Sequence, residues 1–195
     1  MWLDARIWQA VVAGAFLAMG WLVNGWQNRR EAAKLRAERL RDAHRALYAE
    51  IQHNLDNLGS AEQLTEYRES MLARMEENDS FVPFIPRERH NTVFKAIVDE
   101  IYVLPRCSID PVVGYYSQLA ALEMLIDDMR GETFKTMSPR RRSEIYSDYI
   151  AIKLQALSYG RHALSMIDAF ARGGAEEAGR VEKRLRDASD QGRAQ

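Results

Sequence analysis

The 195-residue chain has one cysteine, Cys107, so no disulfide can form within it. It has no paired cysteines at zinc spacing, no glycine-rich phosphate loop and no Gly-x-Ser-x-Gly elbow, and with them go the familiar signatures of zinc modules, nucleotide binders and serine hydrolases. No stretch alternates apolar and polar residues for long enough to read as a strand; the apolar spacing is helical throughout. A net charge of −1 gives no global case for nucleic acid, and no specific nucleic-acid partner is expected. Wholesale disorder is excluded by ordinary composition, 47% hydrophobic and 28% charged.

Charge is also missing locally, from Ile7 to Trp26: "IWQAVVAGAFLAMGWLVNGW" is twenty residues without one ionisable side chain. At helical rise this spans about 30 Å, the thickness of a bilayer's hydrocarbon. All four tryptophans, Trp2, Trp8, Trp21 and Trp26, lie at or near its ends, where indoles favour the membrane interface. A cleavable signal peptide would want a basic front and a small-residue cleavage site, whereas "MWLDAR" and "VNGWQNRR" offer neither. The reading is a transmembrane helix over 7–26, after a short segment 1–6.

Seven basic residues follow the run, Arg29, Arg30, Lys34, Arg36, Arg39, Arg41 and Arg45, and only Arg6 precedes it. By the positive-inside rule, the N-terminus faces outward and 27–195 lies in the cytoplasm. Trp8, Trp21, Trp26, Arg29, Arg30 and Lys34 become the membrane-interface residues, with the bilayer as the first partner. Ala10, Gly14 and Ala18 recur at four-residue spacing, a candidate seam for a homodimer.

The segment 27–58 continues the membrane helix. Leu40 and Leu47 as a, with Ile51 and Leu58 as d, give a short coiled-coil seam interrupted by His44 and Asn54. Pairing with a second copy and packing on the chain's own later helices stay equally open. A bundle over 59–173 follows, without internal repeat. Ser60 and Gln63 form a capping box for a helix to about Asn78. "FVPFIPRER" is an apolar connector expected to pack onto the bundle. A third helix is expected over 87–104, and a fourth from Asp110 and Pro111 to Arg130, ended by Gly131. A long last helix runs from Ser138 and Pro139 to Gly173, with Gly160 as a candidate kink. The tail 174–195 has five basic and five acidic residues and reads as disordered. The fold class is all-α: one N-terminal transmembrane helix and a cytoplasmic bundle of about five helices.

Residues able to carry chemistry fall short of a site. "EIQH" sets Glu50 and His53 at i, i+3, as a di-iron bundle does, but no second copy exists. Arg106 beside Cys107 can lower a thiol pKa, yet no histidine is near in sequence. "RERH" at 87–90 reads as a solvated helix start, and the tyrosines 115, 116, 146, 149 and 159 as core. No catalytic residue, metal site or cofactor is expected. Arg140, Arg141 and Arg142 in "SPRRRSE" stand against the helix dipole and form a candidate contact for a lipid headgroup or another anion.

The opening through "RAERLRDAHRALYAEI", with "FVPFIPRERHNTVFKAIVDEIYVLP" and "IDPVVGYYSQLAALE", resembles uncharacterised single-pass membrane proteins of alphaproteobacteria, some associated with prophage-like regions. The resemblance covers about residues 1–170 and implies a bacterial inner membrane but no activity. The leading expectation is a membrane-anchored scaffold that recruits or senses an unidentified protein partner at the cytoplasmic face. The runners-up are a spanin-like envelope or lysis protein with its helical part in the periplasm, and a ligand-binding bundle.

Overall fold

A computed structural model describes residues 5–87 and 91–193, with side chains described at 8–9, 12–87 and 91–188. Among the described residues it is all-helical, without strands. The helices are α1 Ala5–Leu58, α2 Ala61–Glu77, α3 Thr92–Ile97, α4 Arg106–Arg130, α5 Glu132–Thr136 and α6 Pro139–Arg193, with a 3₁₀ turn at Val98–Val103. The chain divides into two compact units, Met1–Asp42 and Ala43–Gln195. Among the described residues no helix is long and apolar enough to cross a membrane; the side chains of Ile7, Ala10 and Val11, within the uncharged run, lie outside them.

The first unit is the leading part of α1, helical from Ala5. In the second unit α1 continues to Leu58, where Gly59 at φ +80° ends it and its N–H meets Leu55 O. The capping box then restarts the chain: Gln63 N–H donates to Ser60 Oγ at 3.2 Å and Ser60 N–H to Gln63 Oε1 at 2.9 Å. The core is built on α4 and α6, with α2 packed against α6. Leu47 and Ile51 of the heptad seam are fully buried in this bundle, together with Val112, Tyr115, Tyr146 and Ile150. That part of α1 therefore packs on its own chain's helices, the second of the two alternatives above.

Four expectations need correction. The third helix is shorter: α3 covers Thr92–Ile97 and the chain tightens to 3₁₀ geometry over Val98–Val103, where crowded β-branched residues weaken an α-helix. The fourth helix starts earlier, because Pro105 O accepts the N–H groups of Ser108 and Ile109, both at 3.0 Å; Asp110 is no cap and Pro111 sits inside the helix. Its missing N–H forfeits a backbone bond, in a turn whose Val112 is fully buried in the core. Gly131 does cap the end, but in extended rather than left-handed backbone, with φ −70°.

Gly160 makes no kink; α6 departs from helical geometry only at Gly173 and Gly174. Its role is close approach. A Cβ there would stand 2.7 Å from Leu55 Cδ2 and 3.0 Å from the Tyr115 ring, while one at Gly114 would stand 2.9 Å from the Tyr159 ring. Each of α4 and α6 thus gives a glycine to the other's tyrosine.

The tail is not disordered through Arg193. Gly174, at φ +64° and ψ −154°, adopts a conformation essentially reserved for glycine. Ala178 and Val181 beyond it pack with Met166 and Ala169 before it, so the chain doubles back as a helical hairpin. The charges that made the tail look disordered form helical ion pairs, Arg180 with Glu176 and Glu177, and Arg186 with Glu182 on the side facing the first arm.

Candidate functional site

The most exposed apolar surface lies in the first unit. Phe16 is 70% exposed, Leu17 76%, Trp21 82% and Leu22 64%, and Trp8, Val12, Met19, Val23 and Trp26 are also exposed. At 100° per residue seven of the nine fall within one arc of about 120°, Leu17 and Trp21 lie on the opposite side, and no charged residue stands between Ile7 and Trp26 on any face. The Arg30 guanidinium lies 4.5 Å from the Trp26 ring centroid, a cation–π pair where the apolar run meets the basic one. Arg29 and Lys34 are exposed beside it. Of the candidate dimer seam, Ala18 is exposed, a Cβ at Gly14 would touch nothing within 4 Å, and the Ala10 side chain lies outside the described residues, as does Trp2.

In the second unit the candidate chemical groups are engaged in holding helices together. The Glu50 carboxylate accepts from Val93 N–H at 2.6 Å, Phe94 N–H at 3.1 Å and the Tyr116 hydroxyl at 2.5 Å. It therefore caps the first turn of α3 from another helix, which Asn91, making no side-chain cap, does not do. Phe94 and Tyr116 stack over it with ring centroids 3.9 Å apart. Burial, reinforced by the nearby Glu50 carboxylate, pushes the Tyr116 hydroxyl far above its usual range. His53, the other half of "EIQH", instead pairs with Asn57 at 3.1 Å on the surface.

His44 is buried, with Nε2 2.8 Å from Ser108 Oγ and its ring edge-on to Phe170. Burial lowers its pKa to about 4. Cys107 is half-buried against the hairpin cluster, and burial pushes its thiol up, away from a reactive thiolate. Among the described residues no group of His, Cys, Asp and Glu is placed to hold a metal ion. His90 lies outside the described residues.

The arginine cluster divides. Arg140 and Arg141 reach back to Glu144, at 3.2 and 3.0 Å, and that pairing holds the Glu144 carboxyl below its usual range. Arg142 is only 4% exposed, so its guanidinium is withdrawn from any external anion. It donates to the backbone carbonyls of Asp79 and, at 3.3 Å, Lys135, tying the ends of α2 and α5 to the start of α6. Only Arg140 and Arg141 keep exposed heads.

Sequence reading missed the capping role of Glu50 and the buried His44–Ser108 pair. The signal was there: His44, Leu47, Glu50, Ile51 and Asn54 follow one helical stripe, so the polar members face the same core as the apolar ones. It also missed a cleft of about 850 Å³ between the arms of the hairpin, flanked by Leu154, Leu157, His162, Glu182 and Leu185. Burial holds the His162 imidazole below its ordinary range, against the pull of Glu182. No family model, curated protein or solved structure matches the chain.

Proposed function

We propose that the chain is a membrane-anchored helical interaction module of a bacterial inner membrane. In this reading residues 7–26 form a single-pass anchor with the N-terminus outside, and the helical bundle recruits or senses a protein partner at the cytoplasmic face. The observation that carries the reading is the exposure of nine large apolar side chains on the N-terminal helix, seven along one broad face and Leu17 and Trp21 opposite, with no charge on any side from Ile7 to Trp26. Water penalises such a surface at about 25 cal/mol per Å², and a homodimer seam would cover only one stripe of it. Lipid solvates every side at once.

Orientation rests on the basic run from Arg29 to Arg45 and on the Trp26–Arg30 stack, an arrangement suited to the headgroup level. Binding rather than catalysis is supported by the use of Glu50, His44 and Arg142 as internal ties between helices.

The test is fractionation with alkaline carbonate, followed by cytoplasm-only and periplasm-only reporters fused beyond residue 195. Retention in the pellet with an active cytoplasmic reporter is expected. Release into the soluble fraction removes the anchor. An active periplasmic reporter reverses the orientation and moves the reading to an envelope protein with a periplasmic helical part.

A further inference from the structure

The C-terminal arm of α6 is held in an unusual way. It returns along the first arm through a two-residue turn, with Gly173 at φ −147° and Gly174 at φ +64°, both outside helical geometry. Its anchorage is a small cluster close to the turn: Ala178 and Val181 on the arm, Met166 and Ala169 on the body, with Cys107 and Phe170 packed against them. Farther out the arms part to enclose the cleft, and Leu185, next on the arm's apolar stripe after Ala178 and Val181, is 42% exposed.

Two opposed preferences meet at this turn. The apolar stripe of the arm needs the face made by Met166, Ala169, Phe170 and Cys107. The backbone on both sides of the turn is helical and, with helical dihedrals at two residues, would run on as one straight helix. Short hinges under strain are the ones that invite exchange of an element between copies, because the straightened arm recovers the same contacts on a second copy's body.

From this we propose that the arm after Gly174 is an exchangeable element, and that the face under it takes the identical arm of a second copy of this chain. The swapped assembly is a two-fold dimer in which each body is covered by its partner's arm, with Gly173 and Gly174 straightened. It is independent of the membrane anchor and of the seam at Ala10, Gly14 and Ala18, since it uses neither.

The experiment uses the full chain carrying Val181→Cys in lipid nanodiscs, crosslinked at rising protein concentration with a short bismaleimide between Cys107 and position 181. A second variant adds Gly174→Ala, because alanine is refused by the turn and accepted by a straight helix. Expected is a product joining two chains, growing with concentration in the first variant and at least tenfold more abundant in the second. Crosslinking confined to single chains in both variants overturns the proposal. So does the lack of any crosslink, which would mean that the arm does not cover this face. Association through the membrane helix alone cannot mimic the result, because it leaves position 181 beside the Cys107 of its own chain.

Discussion

Replacing Glu50 by glutamine perturbs the bundle at one atom and should open it at one place. The carboxylate serves three donors: Oε1 receives Val93 N–H, and Oε2 receives both Phe94 N–H and the Tyr116 hydroxyl. In Glu50→Gln one oxygen remains and an NH₂ group replaces the other. The amide can keep the Phe94 and Tyr116 bonds only by turning its own donor toward the Val93 N–H. One charge-assisted bond is then lost, at about 1.5–3 kcal/mol, and the other two fall to neutral strength. Glu50 is half-buried, so water recovers part of this, and a net cost of about 3 kcal/mol is expected. If the loss is local, the amides at the start of α3 should exchange with solvent roughly 100-fold faster, as about 1.4 kcal/mol is tenfold. The assay is hydrogen exchange by mass spectrometry, comparing peptides over 91–97 with peptides over 119–126 in α4. Tyr116→Phe removes one donor and leaves the cap, so it should cost about 1 kcal/mol and spare α3. Exchange over 91–97 within twofold of the parent, or an equal rise in α4, would refute the view that Glu50 holds α3 in place.

Other expectations follow from the same packing. His44 has its folded pKa lowered to about 4, against about 6.5 unfolded, so the unfolded chain binds the proton first. Its contribution is complete above pH 6.5 and lost as pH falls toward 4, about 3 kcal/mol in all; denaturant titrations from pH 7 to 4 should show this slope, flattened in His44→Gln. Arg142→Met removes both carbonyl bonds of a buried guanidinium and should cost about 2–3 kcal/mol, read as a lower urea midpoint, whereas Arg140→Ala, at an exposed ion pair, should cost below about 0.5 kcal/mol. Gly160→Val drives a branched side chain into Leu55 and Tyr115 and should cost about 1–3 kcal/mol by overpacking, measured by thermal unfolding.

How much of this could be read from the sequence depended on how far apart the cooperating residues stand. The Ser60–Gln63 capping box spans four consecutive positions and needs no tertiary partner, so it was legible to the residue. The α-helical class followed from apolar spacing, and the burial of Tyr115, Tyr116, Tyr146 and Tyr149 from their place on those faces, whereas Tyr159, read as core with them, is 41% exposed. The stripe showed that Glu50 faces inward, but not what it caps, because its amide partners lie 43 and 44 residues away. The start of α4 was misplaced because Asp110-Pro111 imitates a helix start, while the operative signal, Pro105 with its carbonyl facing the next turn, is more ordinary. The tail was misread because its charges outnumber its apolar residues: two small contacts, Ala178 and Val181, suffice once the glycine pair turns them back onto the body.

The reciprocal glycines of α4 and α6 leave a mark in one dimension. Where the helices cross, one carries Gly-Tyr at 114–115 and the other Tyr-Gly at 159–160, a dipeptide and its mirror image. Neither half means much alone; together they set the separation of two backbones, since a larger residue at 160 must be answered by a smaller one at 115. The size of one position is thereby a constraint on the other. In any chain aligned with this one, a joint change at 115 and 160 is the signature that the crossing has been kept, and a lone enlargement at 160 that it has been given up.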